Sequence, residues 1–232
     1  MLMVTAIIAA AGRGARMGQG VNKVFIPLDK RPLISYTLEV FEKCGVIEEV
    51  ILVVGKDDAE HARSLVDEYK WQKIRSIVVG GAERQHSIAN ALKSLSLKTS
   101  WVVVHDGARP FVNGDLLART VAEARQWGAV GVAVPVKDTI KIADGEGFVA
   151  QTPDRSRLWA MQTPQVFSRA ILERAYQYCE EAGVKVTDDA ALVESLGVKV
   201  KLLMGDYRNI KITTPEDLLF AKAILRRENL CE

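Results

Sequence analysis

A glycine-rich turn that carries cations can hold phosphate groups, and this chain has one early: Ala9-Ala10-Ala11-Gly12-Arg13-Gly14-Ala15-Arg16-Met17-Gly18, followed by Asn22-Lys23. Small residues let backbone N–H groups approach a ligand closely, and N–H groups turned the same way form an anion cradle. Arg16 and Lys23 put positive charge where phosphates would lie. The dinucleotide fingerprint G-x-G-x-x-G/A is not met, because counted from Gly12 it ends on Met17. A Walker A loop is not met either: Gly12 to Gly18 is one residue too long, and Gln19 follows instead of lysine. An ordinary βα turn also contains such glycines. The two cations, directly after an apolar run, favour a nucleotide and chemistry at phosphorus.

Three further segments carry candidate groups. Asp106, in Val104-His105-Asp106-Gly107-Ala108-Arg109-Pro110, is a carboxylate able to ligate Mg²⁺, a metal that takes few carboxylates plus phosphate oxygens and water; a turn aspartate is the plainer alternative. Arg109 suits bidentate capture of an anion, or simple solvation at the surface. His105 reads as a packed or backbone-bonded histidine and receives no role. In Gly80-Gly81-Ala82-Glu83-Arg84-Gln85-His86-Ser87 the glycine pair permits close backbone approach. Ser87 there suits either a hydrogen bond to base or ribose or helix capping, and Arg84 suits a structural salt bridge. Lys211 lies in Asn209-Ile210-Lys211-Ile212 and faces away from its two isoleucines; it matters only if the fold brings it to the Gly12 loop.

These groups need a frame, and the first 135 residues supply one. Apolar runs at Val4–Ile8, Ile51–Val54, Ile74–Val79, Trp101–Val104 and Val130–Val134 read as strands. Helical patterns lie between them, at 57–70, 87–95 and 116–127, the last capped by Asn113. This alternation predicts an α/β fold: a doubly wound, mostly parallel sheet, with ligands beyond the carboxyl ends of the strands. Gly12, Gly81 and Asp106 each follow a strand. After Pro135 the rhythm breaks. Residues 137–143 alternate, 144–147 turn, and 148–151 follow, which reads as a β-hairpin. A lone hairpin is marginal in water, so it is expected to pack on a second subunit. Helical patterning returns at 168–181, 188–195 and 215–227, with Thr214-Pro215 as cap and first residue.

The bulk properties fit that frame. With 232 residues, 48% hydrophobic and 26% charged, the chain suits one α/β domain over 1–232, with 137–160 as an excursion. A net charge of +2 and 6% aromatic residues argue against a nucleic-acid partner. No apolar stretch approaches the ~20 residues of a membrane span. The apolar N-terminus lacks the basic residues of a signal peptide and reads better as a buried strand. Cys44, Cys179 and Cys231, odd in number and without C-x-x-C spacing, suit a reducing cytoplasm rather than disulfides or zinc.

Taken together, these segments resemble the 2-C-methyl-D-erythritol 4-phosphate cytidylyltransferase family. The matching pieces are Ala9-Ala10-Ala11-Gly12-x-Gly14-x-Arg16-Met17, Asn22-Lys23, Gly80-Gly81-x-x-Arg84-Gln85-x-Ser87 and His105-Asp106-Gly107-Ala108-Arg109-Pro110. Asp138-Thr139-Ile140-Lys141, Asp154-Arg155, Leu158-Trp159, Gln162-Thr163-Pro164-Gln165 and Asn209-Ile210-Lys211 continue the match to the last helix. Gly107 stands where the family often has alanine and is expected to loosen its turn slightly.

The resemblance implies a Rossmann-like nucleotidyltransferase fold with a β-hairpin dimerisation arm. It implies binding of CTP and a sugar-alcohol phosphate with Mg²⁺ or another divalent cation, release of pyrophosphate, and a homodimer. On the same ground Arg16, Lys23 and Lys211 would be catalytic. Ala10, Ala11, Gly12, Gly14, Gly81, Ala82, Ser87 and Asp106 would bind nucleotide, with Asp106 also on the metal. Asp106, Arg109, Thr139, Arg155, Thr163 and Lys211 would bind the alcohol phosphate, with Thr139 and Arg155 crossing from the partner's arm. A ribitol 5-phosphate cytidylyltransferase is the nearest rival. Sugar-nucleotide pyrophosphorylases are more distant, and a non-catalytic nucleotide-binding module sits poorly with Arg16, Lys23, Asp106 and Lys211 together.

Overall fold

A computed structural model describes residues 2–12, 22–183 and 186–228. Its centre is a seven-stranded sheet in the order β11-β7-β10-β6-β1-β4-β5. The strands are β1 (Met3–Ala10), β4 (Glu49–Val54), β5 (Ile74–Val79), β6 (Thr99–Asp106), β7 (Ala129–Pro135), β10 (Trp159–Ser168) and β11 (Lys201–Met204). Neighbours run parallel except β10, which is antiparallel to both β6 and β7. Two short strands, β2 (Pro27–Leu28) and β3 (Arg31–Pro32), form a separate ribbon.

Side chains on β1 alternate between two apolar layers, as period-2 geometry requires. Val4, Ala6 and Ile8 join a cluster with Leu33, Leu38 and Phe41 of α1 (Leu33–Lys43), together with residues of α2 (Ala59–Tyr69), α4 (Gly114–Trp127) and α7 (Pro215–Glu228). Ile7 turns the other way, to Ile88 and Ala91 of α3 (Arg84–Leu92), Leu172 and Ala175 of α5 (Arg169–Ala182), and Leu192 of α6 (Asp189–Glu194). Both faces of the sheet are therefore covered, which is why its inner strands read as continuous apolar runs.

The strand order runs β1-β4-β5 one way from β1 and β6-β10-β7 the other. The switch point lies between β1 and β6, the place where doubly wound sheets bind ligands. There Ala9 is in register with Asp106, so the start of the Gly12 loop and the Asp106 carboxylate emerge side by side.

Several elements go beyond the sequence reading, the short β2–β3 ribbon among them. Helix α1 is one, although Leu33, Ile34, Leu38 and Phe41 are spaced to bury one face. Strand β10 was hidden because Pro164 interrupts it; the structure absorbs the proline at a register shift between Met161 and Gln165. Strand β11 is four residues long at the sheet edge and mostly exposed, so it carries little apolar signal.

The expected hairpin is present as β8 (Ile142–Ala143) and β9 (Val149–Gln151), closed by a turn in which Asp144 Oδ1 accepts from the N–H groups of Glu146 and Phe148. Its first strand is shorter than the expected 137–143. Residues 137–141 have no ladder partner within the described chain, and an unpaired extended segment lacks the hydrogen bonds that make a strand.

Asn113 caps α4 as anticipated: its Oδ1 accepts from the Leu116 N–H at 2.8 Å. Asn113→Ala is expected to lower the unfolding free energy by about 1 kcal/mol. Urea unfolding measures this, and an unchanged midpoint would show that the cap contributes nothing.

Candidate functional site

The site is built at the carboxyl ends of β1, β6 and β5, with β10 running in from the opposite direction. Ala10 is buried at the end of β1, Ala11 follows half-buried, and Gly12 is exposed. Gly14 and Arg16 lie outside the described residues. The chain returns at Asn22, whose Nδ2 donates both to the Ala10 carbonyl (2.7 Å) and to Asp58 Oδ2 (2.8 Å). Its Oδ1 caps the 3-10 turn Lys23–Phe25. Asn22 thus fastens the far end of the loop to β1, and Lys23 opens the turn that it caps.

The Gly80-Gly81 turn is tight for steric reasons. A Cβ on Gly80 would lie 2.4 Å from Ala11 Cβ, and one on Gly81 would lie 2.4 Å from His86 Cβ, well inside van der Waals contact. Ser87 is not the helix cap. It sits inside α3, donates to the Glu83 carbonyl and accepts from the Gly81 N–H, both at 3.1 Å. Its hydroxyl therefore shapes the glycine turn beside Ala11. Ala82 is exposed on that turn.

Asp106 is the electrostatic centre. It is 6% exposed, and three cations reach it. Lys211 Nζ lies 2.9 Å from Oδ2, Arg109 Nε 3.4 Å from Oδ2, and Arg84 Nε 3.4 Å from Oδ1. Burial alone would raise the pKa of this carboxyl. Lys211, Arg84 and Arg109 outweigh burial and hold it well below the usual range, so it is ionised at any working pH.

Lys211 gets there because of its neighbours. Ile212 donates to the Ala108 carbonyl at 2.9 Å, which lays the 209–212 segment along the Asp106 turn. Asn209, fully buried, donates through Nδ2 to the Thr163 carbonyl (2.8 Å) and accepts at its own carbonyl from Arg109 Nη1 (2.8 Å). Lys211 is thereby brought to Asp106, which is in register with Ala9 of β1.

Arg109 is not a solvated surface arginine: it is 9% exposed, with Asp106, Asn209 and Met161 around its guanidinium. Gly107 does not loosen its turn either. Its N–H donates to the Ala9 carbonyl at 2.9 Å, and its carbonyl accepts from Thr37 of α1, so both peptide groups are pinned.

Behind the carboxylate runs a relay of neutral groups. The Asp106 N–H donates to Thr163 Oγ1 (3.0 Å), the Thr163 hydroxyl contacts His105 Nδ1 (3.0 Å), and His105 Nε2 faces the Arg109 carbonyl (3.3 Å). Because the Arg109 carbonyl can only accept, the imidazole carries hydrogen on Nε2, and Nδ1 accepts from the Thr163 hydroxyl. Complete burial pushes His105 down to about 3 and keeps it neutral. Thr163 is 3% exposed, and its hydroxyl is committed inward. Thr139 and Arg155 lie exposed on the arm, where Arg155 Nη1 donates to the Lys137 carbonyl (2.6 Å). Asn22 and Asn209 stand in the matched segments with no role assigned from sequence, and the contacts of α1 carry no sequence signal at all. The spacing of Asn209 two residues before Lys211 was a signal only in retrospect.

Among the described residues no group of three or more His, Cys, Asp or Glu side chains is placed to hold a metal. A lone buried carboxylate suits a cation that draws its other ligands from water and substrate phosphates. Nor, among them, is any helix long and apolar enough to cross a membrane.

The family model for 2-C-methyl-D-erythritol 4-phosphate cytidylyltransferase matches residues 4–227. A protein of that name from Alkaliphilus metalliredigens is 47% identical over 225 residues, 97% of this chain and 93% of its own length. One from Geobacillus kaustophilus is 50% identical over 220 residues, 95% of this chain and 96% of its own length. The crystal structure of 4-diphosphocytidyl-2C-methyl-D-erythritol synthase from Anaerococcus prevotii superposes with a TM-score of 0.88 at 36% identity, over 97% of this chain and 96% of that one.

Burial of His105 has a consequence for stability. The unfolded chain takes up a proton near the ordinary 6.5, while the folded chain refuses it down to about 3. The neutral imidazole's contribution is therefore complete above 6.5 and is lost as pH falls below it. Asp106 acts the same way, but only below the ordinary carboxylate range. In metal-free protein, unfolding free energy between pH 6.5 and about 4.5 should fall with a slope approaching one proton, about 1.4 kcal/mol per pH unit. Denaturant titrations of wild type and His105→Asn test this. The variant should lose that slope, and equal slopes in both proteins would refute the assignment.

Proposed function

The chain belongs to the 2-C-methyl-D-erythritol 4-phosphate cytidylyltransferase family, and we infer that it transfers CMP from CTP to 2-C-methyl-D-erythritol 4-phosphate, releasing pyrophosphate, in isoprenoid precursor synthesis. The observation that carries this reading is the contact of Lys211 with Asp106 beside the end of β1, at the switch point of the sheet. An oxygen of the alcohol's phosphate attacks the α-phosphorus of CTP. The new P–O bond forms as the bond to the β-phosphate oxygen breaks, and pyrophosphate carries off the electron pair. The nucleophile is already anionic, so no general base is needed. The obstacle is repulsion: like charges about 4 Å apart repel by roughly 4 kcal/mol at an effective dielectric of 20.

The site answers with cations. In this reading Arg16 and Lys23 stabilise charge developing at the α-phosphate. Lys211 serves both phosphates from its place beside Asp106. Asp106 is the residue suited to hold Mg²⁺ or another divalent cation, which supplies charge neutralisation at the phosphates when bound. Ala10, Ala11, Gly12, Gly14, Gly81 and Ala82 offer backbone groups to the nucleotide, and Ser87 keeps the Gly81 edge in place for base or ribose. Arg109 acts from within, as buried positive charge beside the alcohol phosphate. Thr163 acts by holding the Asp106 backbone.

Thr139 and Arg155 complete the substrate phosphate site in a homodimer, each reaching from the arm at 137–160 into the other subunit's site; the rest of 1–232 is one nucleotidyltransferase domain. Two observations support arm exchange. Phe148 and Val149 are 68% and 61% exposed, a cost for one chain that a partner removes. The arm also leaves the sheet at Pro135 and Trp159, which pair with each other at the same end of the sheet as the carboxyl ends of β1 and β6. The enzyme acts in the cytoplasm, in keeping with its free buried thiols Cys44 and Cys179.

Lys211→Ala and Lys23→Ala are each expected to lower kcat by two or more orders of magnitude, read as pyrophosphate release from CTP and methylerythritol phosphate. Near-normal turnover would remove them from the mechanism, and turnover with ribitol 5-phosphate alone would reassign the substrate. For the dimer, Asp106→Asn and Arg155→Ala proteins, each nearly inactive, are mixed under conditions of subunit exchange. Half the resulting dimers carry one intact composite site, so about one quarter of wild-type activity should return in a symmetric two-subunit enzyme. No recovery after confirmed exchange would mean that each chain uses its own arm.

A further inference from the structure

Arg84 is held from two sides, and only one side is the site. Its Nε faces Asp106 Oδ1, while its Nη1 lies 2.6 Å from Oδ2 of Asp189. Asp189 is fully buried at the start of α6, and its Oδ1 accepts a 2.6 Å hydrogen bond from the hydroxyl of Tyr176 on α5. Burial disfavours charge on Arg84, yet Asp189 and then Asp106 overcome it and raise its pKa, so the guanidinium stays charged. Burial and Asp189 raise Tyr176 well above its ordinary value, so its proton stays in the bond.

The start of α6 is itself fixed from β10. Gln165 donates through Nε2 to Asp188 Oδ2 (2.7 Å) and accepts from the Ala190 N–H (3.0 Å). The chain of contacts thus runs from β10 through α6 to Arg84 and into Asp106. A buried carboxylate is expensive to keep ionised, and replacing a buried pair with apolar groups is often neutral or better for stability. Stability alone is a poor reason for this arrangement.

We propose that Asp189 and Tyr176 are positioning residues: they hold the Arg84 guanidinium so that Asp106 presents a fixed carboxylate to the nucleotide. The cations around Asp106 then divide by their anchorage. Arg84 is tied to Asp189 and Arg109 to the Asn209 carbonyl. Lys211, with 38% of its side chain exposed, reaches Asp106 from the open side. Two guanidiniums orient the carboxylate from behind while the ammonium is placed to move onto a substrate phosphate. Without Asp189, Arg84 would have Asp106 as its strong counter-charge and would follow it, and the carboxylate would lose its fixed direction.

This rests on the cytidylyltransferase reading, and the test separates the two. CTP binding in the presence of Mg²⁺ and absence of the alcohol phosphate is measured by calorimetry, alongside KM for each substrate. Asp189→Asn keeps shape and the Tyr176 bond while removing the charge. It should weaken CTP binding and raise KM for CTP at least tenfold, with a clearly smaller rise in KM for methylerythritol phosphate. Tyr176→Phe, a milder change that leaves the ion pair, should shift the same two quantities by about threefold to fivefold. CTP binding and KM unchanged in both folded variants, even with a lowered Tm, would reduce the contacts to structure and overturn the proposal. Equal increases in both KM values would do so too. If Asp189→Asn does not fold, unchanged CTP binding in Tyr176→Phe decides against it. Failure of the wild-type protein to bind CTP would overturn the underlying reading and the proposal with it.

Discussion

The site depends on one carboxylate kept charged in a place that would ordinarily neutralise it. Asp106 is almost completely removed from water, and an isolated carboxylate there would take up a proton. Three cations prevent this, and each is delivered by a different part of the chain: Arg84 by the β5–α3 turn, Arg109 by the turn after β6, Lys211 by the segment before α7. The β1–β6 pairing, the antiparallel β10 and α1 beneath the turn all serve to bring these groups to one point. Because a buried charge left unpaired costs several kcal/mol, the cluster also makes fold and site interdependent.

The backbone is held as firmly as the charges. Thr37 reaches from α1 to the Gly107 and Arg109 carbonyls, Thr163 from β10 to the Asp106 N–H, and His105 closes the circuit on the Arg109 carbonyl. His105 illustrates how a histidine beside an active carboxylate can be excluded from proton transfer by environment alone. Burial depresses its pKa, and both ring nitrogens are occupied. Chemistry run by charge placement has no use for a base, and the imidazole of His105 is spent on geometry.

Much of the frame was legible in the residues. The strands β4 and β5 and the cap at Asn113 carry local signals: apolar runs bounded by turn residues, and an Asn three positions before the N–H it accepts from. The Gly12, Gly81 and Asp106 segments could be placed at strand ends because a doubly wound sheet puts its ligand there. What stayed hidden was non-local. Nothing local marks Asn209 as the strut for Lys211, since the partners that define it, Arg109 and Thr163, are far away in sequence. Asp189 read only as part of a helix start, because its burial against Arg84 arises when α3, α5 and α6 pack on one face. Strand β10 was missed because a proline ordinarily argues against an inner strand. For Lys211, sequence offered only a condition on the fold, and its contact with Asp106 arises from tertiary packing alone.

The balance of charge explains why such a cluster is receptive to anions. Arg84, Arg109 and Lys211 against Asp106 and Asp189 leave one positive charge in excess among these five groups. A site with matched charges would be more comfortable empty and less receptive to polyphosphate, because every phosphate contact would first require breaking a neutral pair. An excess of positive charge in a low-dielectric pocket raises the local concentration of anionic ligands and strengthens their contacts once water is displaced. The anchored guanidiniums keep this excess from collapsing onto Asp106 in varied ways, so that little reorganisation remains for the moment of reaction. Excess positive charge and a carboxylate of fixed direction are two sides of one arrangement: in the cytidylyltransferase reading, the first offsets the repulsion between two phosphates and the second fixes where they meet.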